Sequence, residues 1–250
     1  MNNGTCAIFF HNYYGQHEEW IRFFSEKRGL SFTLFYNIVK DSPYNISNTT
    51  SPDHLQKRMT GTGINKLIVR YSSNKGKDIG GKLVLLDACL REGINPDFCI
   101  FLHDKTSPYK VQGRQWRDKL FYILDITFIK KALDIFEKNK NTGIIAGSDN
   151  INNEYDFDLK GYRSNNRLII SDLQKKYNIF PKDYRYVAGT MFWCNFSPLK
   201  DFFYKYPPLD IRGTLENGNV MDDHAGTVTH SWERLLSWLI FTQGYTIKGL

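Results

Sequence analysis

An α/β fold, with a mostly parallel sheet flanked by helices in one domain, is what this sequence predicts, and three observations predict it. Short apolar runs alternate with stretches of helical periodicity as far as about residue 150, the pattern of successive βαβ units. Polar clusters follow directly on several of those runs, where open α/β sheets carry their ligands. The length of 250 residues, 41% of them hydrophobic, suffices for one sizeable core and not obviously for two.

The first strand is expected at 7–10, Ala-Ile-Phe-Phe. A helix follows at 18–27, where Trp20, Ile21, Phe23 and Phe24 give a broad apolar face that Gly29 ends. A second strand reads over 32–39. From 41 to 63 the chain turns to Ser, Asn, Thr, Pro and Gly, a surface excursion with a short helix near 53–59. Residues 66–71 resume the sheet, 72–81 form a Gly-rich polar turn, and 82–91 a helix. The apolar run 98–102 is a strand that breaks at once into His103, Asp104 and Lys105. Helices are expected at 115–124 and 128–139 and a strand at 143–147, whereas 148–178 alternates polar and aromatic residues without a clear period. A late strand reads over 185–193, a helix begins at the Ser197-Pro198 cap, and an Asp222-Asp223-His224 turn leads to an aromatic-rich helix at 229–243. No repeat and no linker divides the chain, so a single domain over 1–250 is expected.

Lys and Arg outnumber Asp and Glu by 33 to 26, a net charge of +7, which favours an anionic partner: nucleic acid, acidic lipid or a nucleotide diphosphate. The basic residues are scattered rather than gathered into a nucleic-acid-binding block. No apolar run approaches the roughly 20 residues that span a bilayer, which leaves at most peripheral membrane contact. The first residues lack the basic and apolar regions of a secretory leader, so a cytoplasmic location is expected. Cys6, Cys89, Cys99 and Cys194 lie far apart beside apolar neighbours, with no C-x-x-C pair, and are expected as buried free thiols.

Three clusters carry candidate chemistry. In the first, residues 74–81, glycines let backbone amides approach a phosphate near a helix N-terminus, with Asn74, Lys75 and Lys77 beside them. Lys77 is a candidate for pairing with a diphosphate, and Asp78 for a sugar hydroxyl or a helix cap. The letters fit neither the P-loop nor G-x-G-x-x-G. In the second, His103-Asp104-Lys105 stands at a strand tip, where Asp104 is a candidate ligand for Mg²⁺ or Mn²⁺ and Lys105 a metal-free alternative for neutralising a diphosphate. The third joins Met191 and Trp193 to His230, Trp232 and Glu233. Here Glu233, a carboxylate among aromatic rings, is a candidate general base, and the two Trp rings are candidates for stacking on a sugar. Aromatic core packing is the competing reading of this third cluster. His11, His17 and His54 have no partner at metal-ligand spacing.

These clusters resemble the rhamnan synthesis F family of polysaccharide biosynthesis proteins. The matching residues are Asn74-Lys75-Gly76-Lys77-Asp78-Ile79-Gly80, Leu102-His103-Asp104-Lys105-Thr106-Ser107 with Trp116-Arg117, Ala188-Gly189-Thr190-Met191-Phe192-Trp193, and His230-Ser231-Trp232-Glu233-Arg234. The resemblance implies a GT-A-like, Rossmann-like glycosyltransferase, with a nucleotide-binding part over about 1–110 and an acceptor part over about 111–250. It implies transfer of a sugar, L-rhamnose foremost, from a nucleotide diphosphate sugar donor to a glycan acceptor, with inversion. Donor binding is then expected at Asn74, Lys77, Asp78, His103, Asp104 and Lys105, and acceptor binding at Met191, Trp193, His230 and Trp232. Glu233 is expected as the base. Where GT-A enzymes carry Asp-x-Asp this chain has His103-Asp104-Lys105, so a divalent cation on Asp104 is an open expectation. The alternatives are a sugar-binding domain of the same fold without turnover and a polyanion or nucleic-acid binder.

Overall fold

The computed structural model describes residues 5–15, 31–45, 52–104, 118–158, 160–221 and 225–250. The helix expected at 18–27, Lys105, Trp116, Arg117, His17 and the 222–224 turn lie outside the described residues, as does the His54 side chain.

The strands are β1 (Thr5–Asn12), β2 (Ser31–Val39), β3 (Ile64–Ser72), β4 (Phe98–His103), β5 (Thr142–Ala146), β6 (Ile151–Asn153), β7 (Tyr155–Asp156), β8 (Gly161–Tyr162), β9 (Arg185–Val187), β10 (Phe192–Asn195) and β11 (Thr246–Gly249). The helices are α1 (Pro52–Met59), α2 (Lys77–Arg91), α3 (Ile126–Lys138), α4 (Arg167–Tyr177), α5 (Phe196–Lys205), α6 (Pro208–Gly213) and α7 (Val228–Phe241). Seven strands make the central sheet in the order β11-β5-β10-β4-β1-β2-β3, with β10 antiparallel to both its neighbours and every other pair parallel. The fold is α/β and Rossmann-like, as the alternation of apolar runs and helices predicts.

Strand periodicity sorts the core into two layers, because successive side chains leave a strand on opposite faces. On one face Phe9, Phe35, Ile68 and Phe101 pack under α2 and α7 with Ile79, Leu83, Leu235 and Trp232. On the other, Phe10, Leu34, Leu102 and Trp193 pack under α3 with Phe128, Ile129 and Phe136. Strands β1, β2, β4 and β5 are buried on both faces, which is why they read as near-continuous apolar runs.

Two expected boundaries are corrected. The helix expected from 82 starts at Lys77, so Gly80 and Gly81 of the supposed turn lie inside its first turns and Gly76 stands at its cap. The strand expected over 185–193 is two strands in different sheets: β9 pairs with β6, and β10 enters the central sheet, with a turn at Gly189 and Thr190 between them. Both departures come from left-handed backbone, at Gly76 and Lys77 (φ 75° and 51°) and at Gly189 and Thr190 (φ 76° and 51°). Nothing in the apolar pattern announces it.

A candidate active site at the topological switch point

β1 runs on to β2 on one side, while β3 returns across the sheet to β4 on the other, so the carboxyl ends of β1 and β4 form the switch point where such sheets bind ligands. At that edge the packing changes character within one pleat. Phe101, Phe9, Phe35 and Ile68 are register partners across four strands and all lie in the core. Two residues further along, the partners are His103, His11, Asn37 and Arg70. An apolar row gives way to a polar one on the same face.

His11 is buried, and its Nδ1 accepts from Asn37 Nδ2 at 3.0 Å. Burial, with Lys82 and Arg212 adding to it against the opposing pull of Asp78, lowers its pKa to about 4. The ring is therefore neutral at pH 7. Its space exists because α2 has a glycine above it: a Cβ on Gly81 would lie 1.7 Å from His11 Nδ1, and one on Gly80 would lie 1.7 Å from the Lys75 carbonyl oxygen. We expect Gly81→Ala to destabilise the protein by about 3 kcal/mol through overpacking, even though alanine favours a helix by about 1 kcal/mol. Urea denaturation measures this, and an unchanged midpoint would show that the ring moves freely.

The first turns of α2 place Asp78 and Lys82 on one face, four residues apart. Lys82 is fully buried, and its ammonium donates to Asp78 Oδ2 at 2.9 Å, to His103 Nδ1 at 3.3 Å and to the Thr190 hydroxyl. Thr190 in turn donates to Asp78 Oδ2 at 2.5 Å. Burial pushes the Asp78 carboxyl up, but Lys82, His103 and the Thr190 hydroxyl outweigh it and hold the group well below the usual carboxylate range.

Glu233 faces this group across the same turn. Its Oε1 accepts from the Gly189 backbone N–H at 2.7 Å, and its Oε2 accepts from Arg234 Nη1 at 2.8 Å. Burial raises its proton affinity and the Asp78 charge adds to that, against Arg234 and the Gly189 amide. The two carboxylates thus diverge, one held ionised and one raised, the arrangement that separates acid-base roles within a site. Their side chains keep 24% and 20% of their surface, so both reach solvent from one side. The Gly189–Thr190 turn ties them together, Gly189 through its N–H to Glu233 and Thr190 through its hydroxyl to Asp78. A β-branched residue at φ 51° is strained, and such strain persists only where its surroundings hold it.

α7 is anchored where Glu233 needs it. Thr227 caps its start by accepting from His230 N, Asn166 Oδ1 accepts from Thr227 N, and Glu216 accepts from the amides of Val228 and Thr229. Further out, Glu154 Oε2 accepts from Arg234 Nε at 3.0 Å, and the Arg234 guanidinium lies 4.6 Å from the Tyr186 ring centre.

The structure brings together Asp78, His103 and Glu233 of the residues singled out in the sequence. The others are placed differently. Lys77 donates to the Val220 carbonyl at 3.2 Å, and Asn74 bonds Asn219 at 3.0 Å, so both tie the start of α2 to the 216–220 segment. Asp104 is buried and turns away from the cluster, its oxygens accepting from the amides of Tyr13 at 2.8 Å and Tyr14 at 2.5 Å. His230 Nδ1 lies 2.6 Å from the Thr227 hydroxyl that caps α7. Met191 and Trp193 are fully buried on the α3 face, where Trp193 Nε1 donates to Ile123 O, while Trp232 is fully buried on the opposite face against Tyr177. The expectation that both Trp rings stack on one sugar is therefore corrected: they lie on opposite faces of the sheet, with no surface to offer. Sequence reading missed His11, Lys82 and Thr190. Lys82 does carry a signal, its i, i+4 spacing from Asp78, but the reading of 72–81 as a turn leaves Asp78 outside the helix that begins at Lys82.

No helix among the described residues is long and apolar enough to cross a membrane. No curated protein matches the chain significantly. The profile of the family described as rhamnan synthesis protein F does, over residues 2–245, nearly the whole length, and the chain belongs to that family of polysaccharide synthesis proteins.

Proposed function

We propose that this chain is a GT-A-like glycosyltransferase that moves a sugar, L-rhamnose foremost, from a nucleotide diphosphate donor to a glycan acceptor. The observation that carries the reading is the pair Asp78 and Glu233, held on the two residues of one strained turn beside the switch point. Transfer requires a base for the attacking hydroxyl and stabilisation of the departing diphosphate. Glu233, with its raised proton affinity, is suited to the first task. The start of α2, a helix N-terminus with no side-chain cap at Gly76, serves the second, with Lys77 exchanging its bond to the Val220 carbonyl for the diphosphate. Asp78 and His103 are then hydrogen-bonding partners for the donor's hydroxyls, and the half-buried Tyr13 and Tyr14 with the exposed Tyr44 border the end of β1 where the nucleoside would lie. Direct displacement with Glu233 as base gives inversion.

The donor set around Asp104 fits a divalent cation poorly: its oxygens are taken up by two amides, and among the described residues no cluster of three carboxylate, imidazole or thiol ligands forms. Metal dependence is best read directly. In a thermal-shift panel of nucleotide diphosphate sugars, with and without Mn²⁺, a donor at a hundred times its Kd is expected to stabilise the protein by about 2.7 kcal/mol. A shift that requires Mn²⁺ would show that donor binding takes a cation, and its loss in Asp104→Asn would assign that cation to Asp104. Stabilisation by polyanions with steep salt dependence, and by no nucleotide sugar, would overturn the transferase reading in favour of a polyanion binder.

A further inference from the structure

With Trp193 and Trp232 enclosed in the core, the side chains that would hold an acceptor must lie elsewhere. One array of rings stands out. The β7–β8 hairpin carries Phe157, which is 71% exposed, and its ring meets Tyr155 edge-on at 5.1 Å. Tyr155 stacks on Tyr184 at 4.9 Å and 26°, and Tyr184 packs edge-on at 5.6 Å against Trp238, which is buried in α7. The rings thus form a continuous series from an anchored indole to an open phenyl group. Beside Phe157, Asp156 and Arg163 pair at 3.3 Å, with the Arg163 side chain largely exposed.

Two covalent and electrostatic links join this series to the candidate site. Glu154, next to Tyr155, holds Arg234, which holds Glu233. Tyr186, two residues beyond Tyr184, carries the Arg234 guanidinium on its ring. An aromatic face oriented by its neighbours loses little entropy on contact, and the apolar C–H face of a pyranose releases water against it. A 6-deoxyhexose, with a methyl group in place of a hydroxymethyl, presents more apolar surface than a glucose unit. Planar polar groups at the rim supply partners for the hydroxyls.

We propose that the β7–β8 hairpin is a carbohydrate-binding platform for the polymeric acceptor, with sugar rings distant from the reacting end stacking on Phe157 and Tyr155. This rests on the transferase reading for its place in the reaction, but not for its test. Titration calorimetry of the full chain with a rhamnan oligosaccharide, beside a glucan oligosaccharide of equal length, is expected to show binding of the former. Phe157→Ala is expected to weaken it about five- to tenfold without change in melting temperature, the ring being exposed. Equal affinity in the variant overturns the platform. So does failure of the unmodified chain to bind rhamnan while a nucleotide sugar still raises its melting temperature, an outcome that leaves the transferase reading in place. Phe157-dependent rhamnan binding without any nucleotide-sugar response supports the platform and removes the transferase reading instead. Phe157-dependent pelleting with phosphatidylglycerol vesicles in place of oligosaccharide binding would make the hairpin a membrane contact and overturn the proposal.

Discussion

Replacing Glu233 with Gln is expected to lower sugar transfer by about 10²- to 10⁴-fold while leaving donor affinity nearly intact. The substitution keeps the shape and the acceptor for the Gly189 N–H, so the turn that carries Thr190 and Asp78 stays in place. It removes the lone pair that takes the acceptor's proton, and sets an amide against Arg234 Nη1. The pH profile adds a sign. Burial raises the Glu233 proton affinity above that of an ordinary glutamate near 4.3, so the base form accumulates, and the rate climbs, as pH rises through that higher value. The acid limb should accordingly lie above the ordinary glutamate range in the unmodified protein and vanish in the variant. Turnover by Glu233→Gln at the unmodified rate would remove Glu233 from the role.

Lys82→Met should be the most damaging single change to stability, at about 3–5 kcal/mol, because it removes one partner of a buried ion pair and strands the other. Methionine fills much of the lysine stem's space, so the loss is electrostatic more than steric. Asp78 would keep Thr190 and His103 but lose the cation that offsets its burial. The depressed Asp78 pKa contributes stability that is present above the unfolded value near 3.9 and is lost as pH falls through the lower folded value. Chemical denaturation at pH 7 should thus show the full cost of Lys82→Met, and the gap to the unmodified protein should narrow in strong acid. The double variant Asp78→Asn with Lys82→Met should be more stable than Lys82→Met alone, since no charge is left stranded. A cost below about 1 kcal/mol would mean that the pair is screened by solvent and holds nothing in place.

Much of this architecture was legible in the letters. The runs at 7–10, 32–39, 66–71 and 98–102 are strands, and the break from Leu102 into His103 marks a strand tip at the switch point, because a buried parallel strand writes itself as an unbroken apolar run. Asp78 and Glu233 were legible as candidates because each is a lone carboxylate beside glycine or aromatic neighbours. The 148–178 stretch was not, since two-residue strands and a hairpin of Tyr155 to Tyr162 are too short to show a period.

From the sequence by itself came the α/β class, the family, the switch-point clusters and the four buried thiols, all of which rest on local apolar pattern or residue order. Only the tertiary structure decided which polar groups meet. A glycine whose Cβ would fall 1.7 Å from an imidazole, a lysine enclosed by Asp78, His103 and Thr190, and two tryptophans sent to opposite faces all depend on left-handed turns and strand register that bring together residues up to 112 positions apart. Apart from the i, i+4 step from Asp78 to Lys82, those encounters are set by packing in three dimensions between residues far apart in the chain, and no local pattern of the letters shows them.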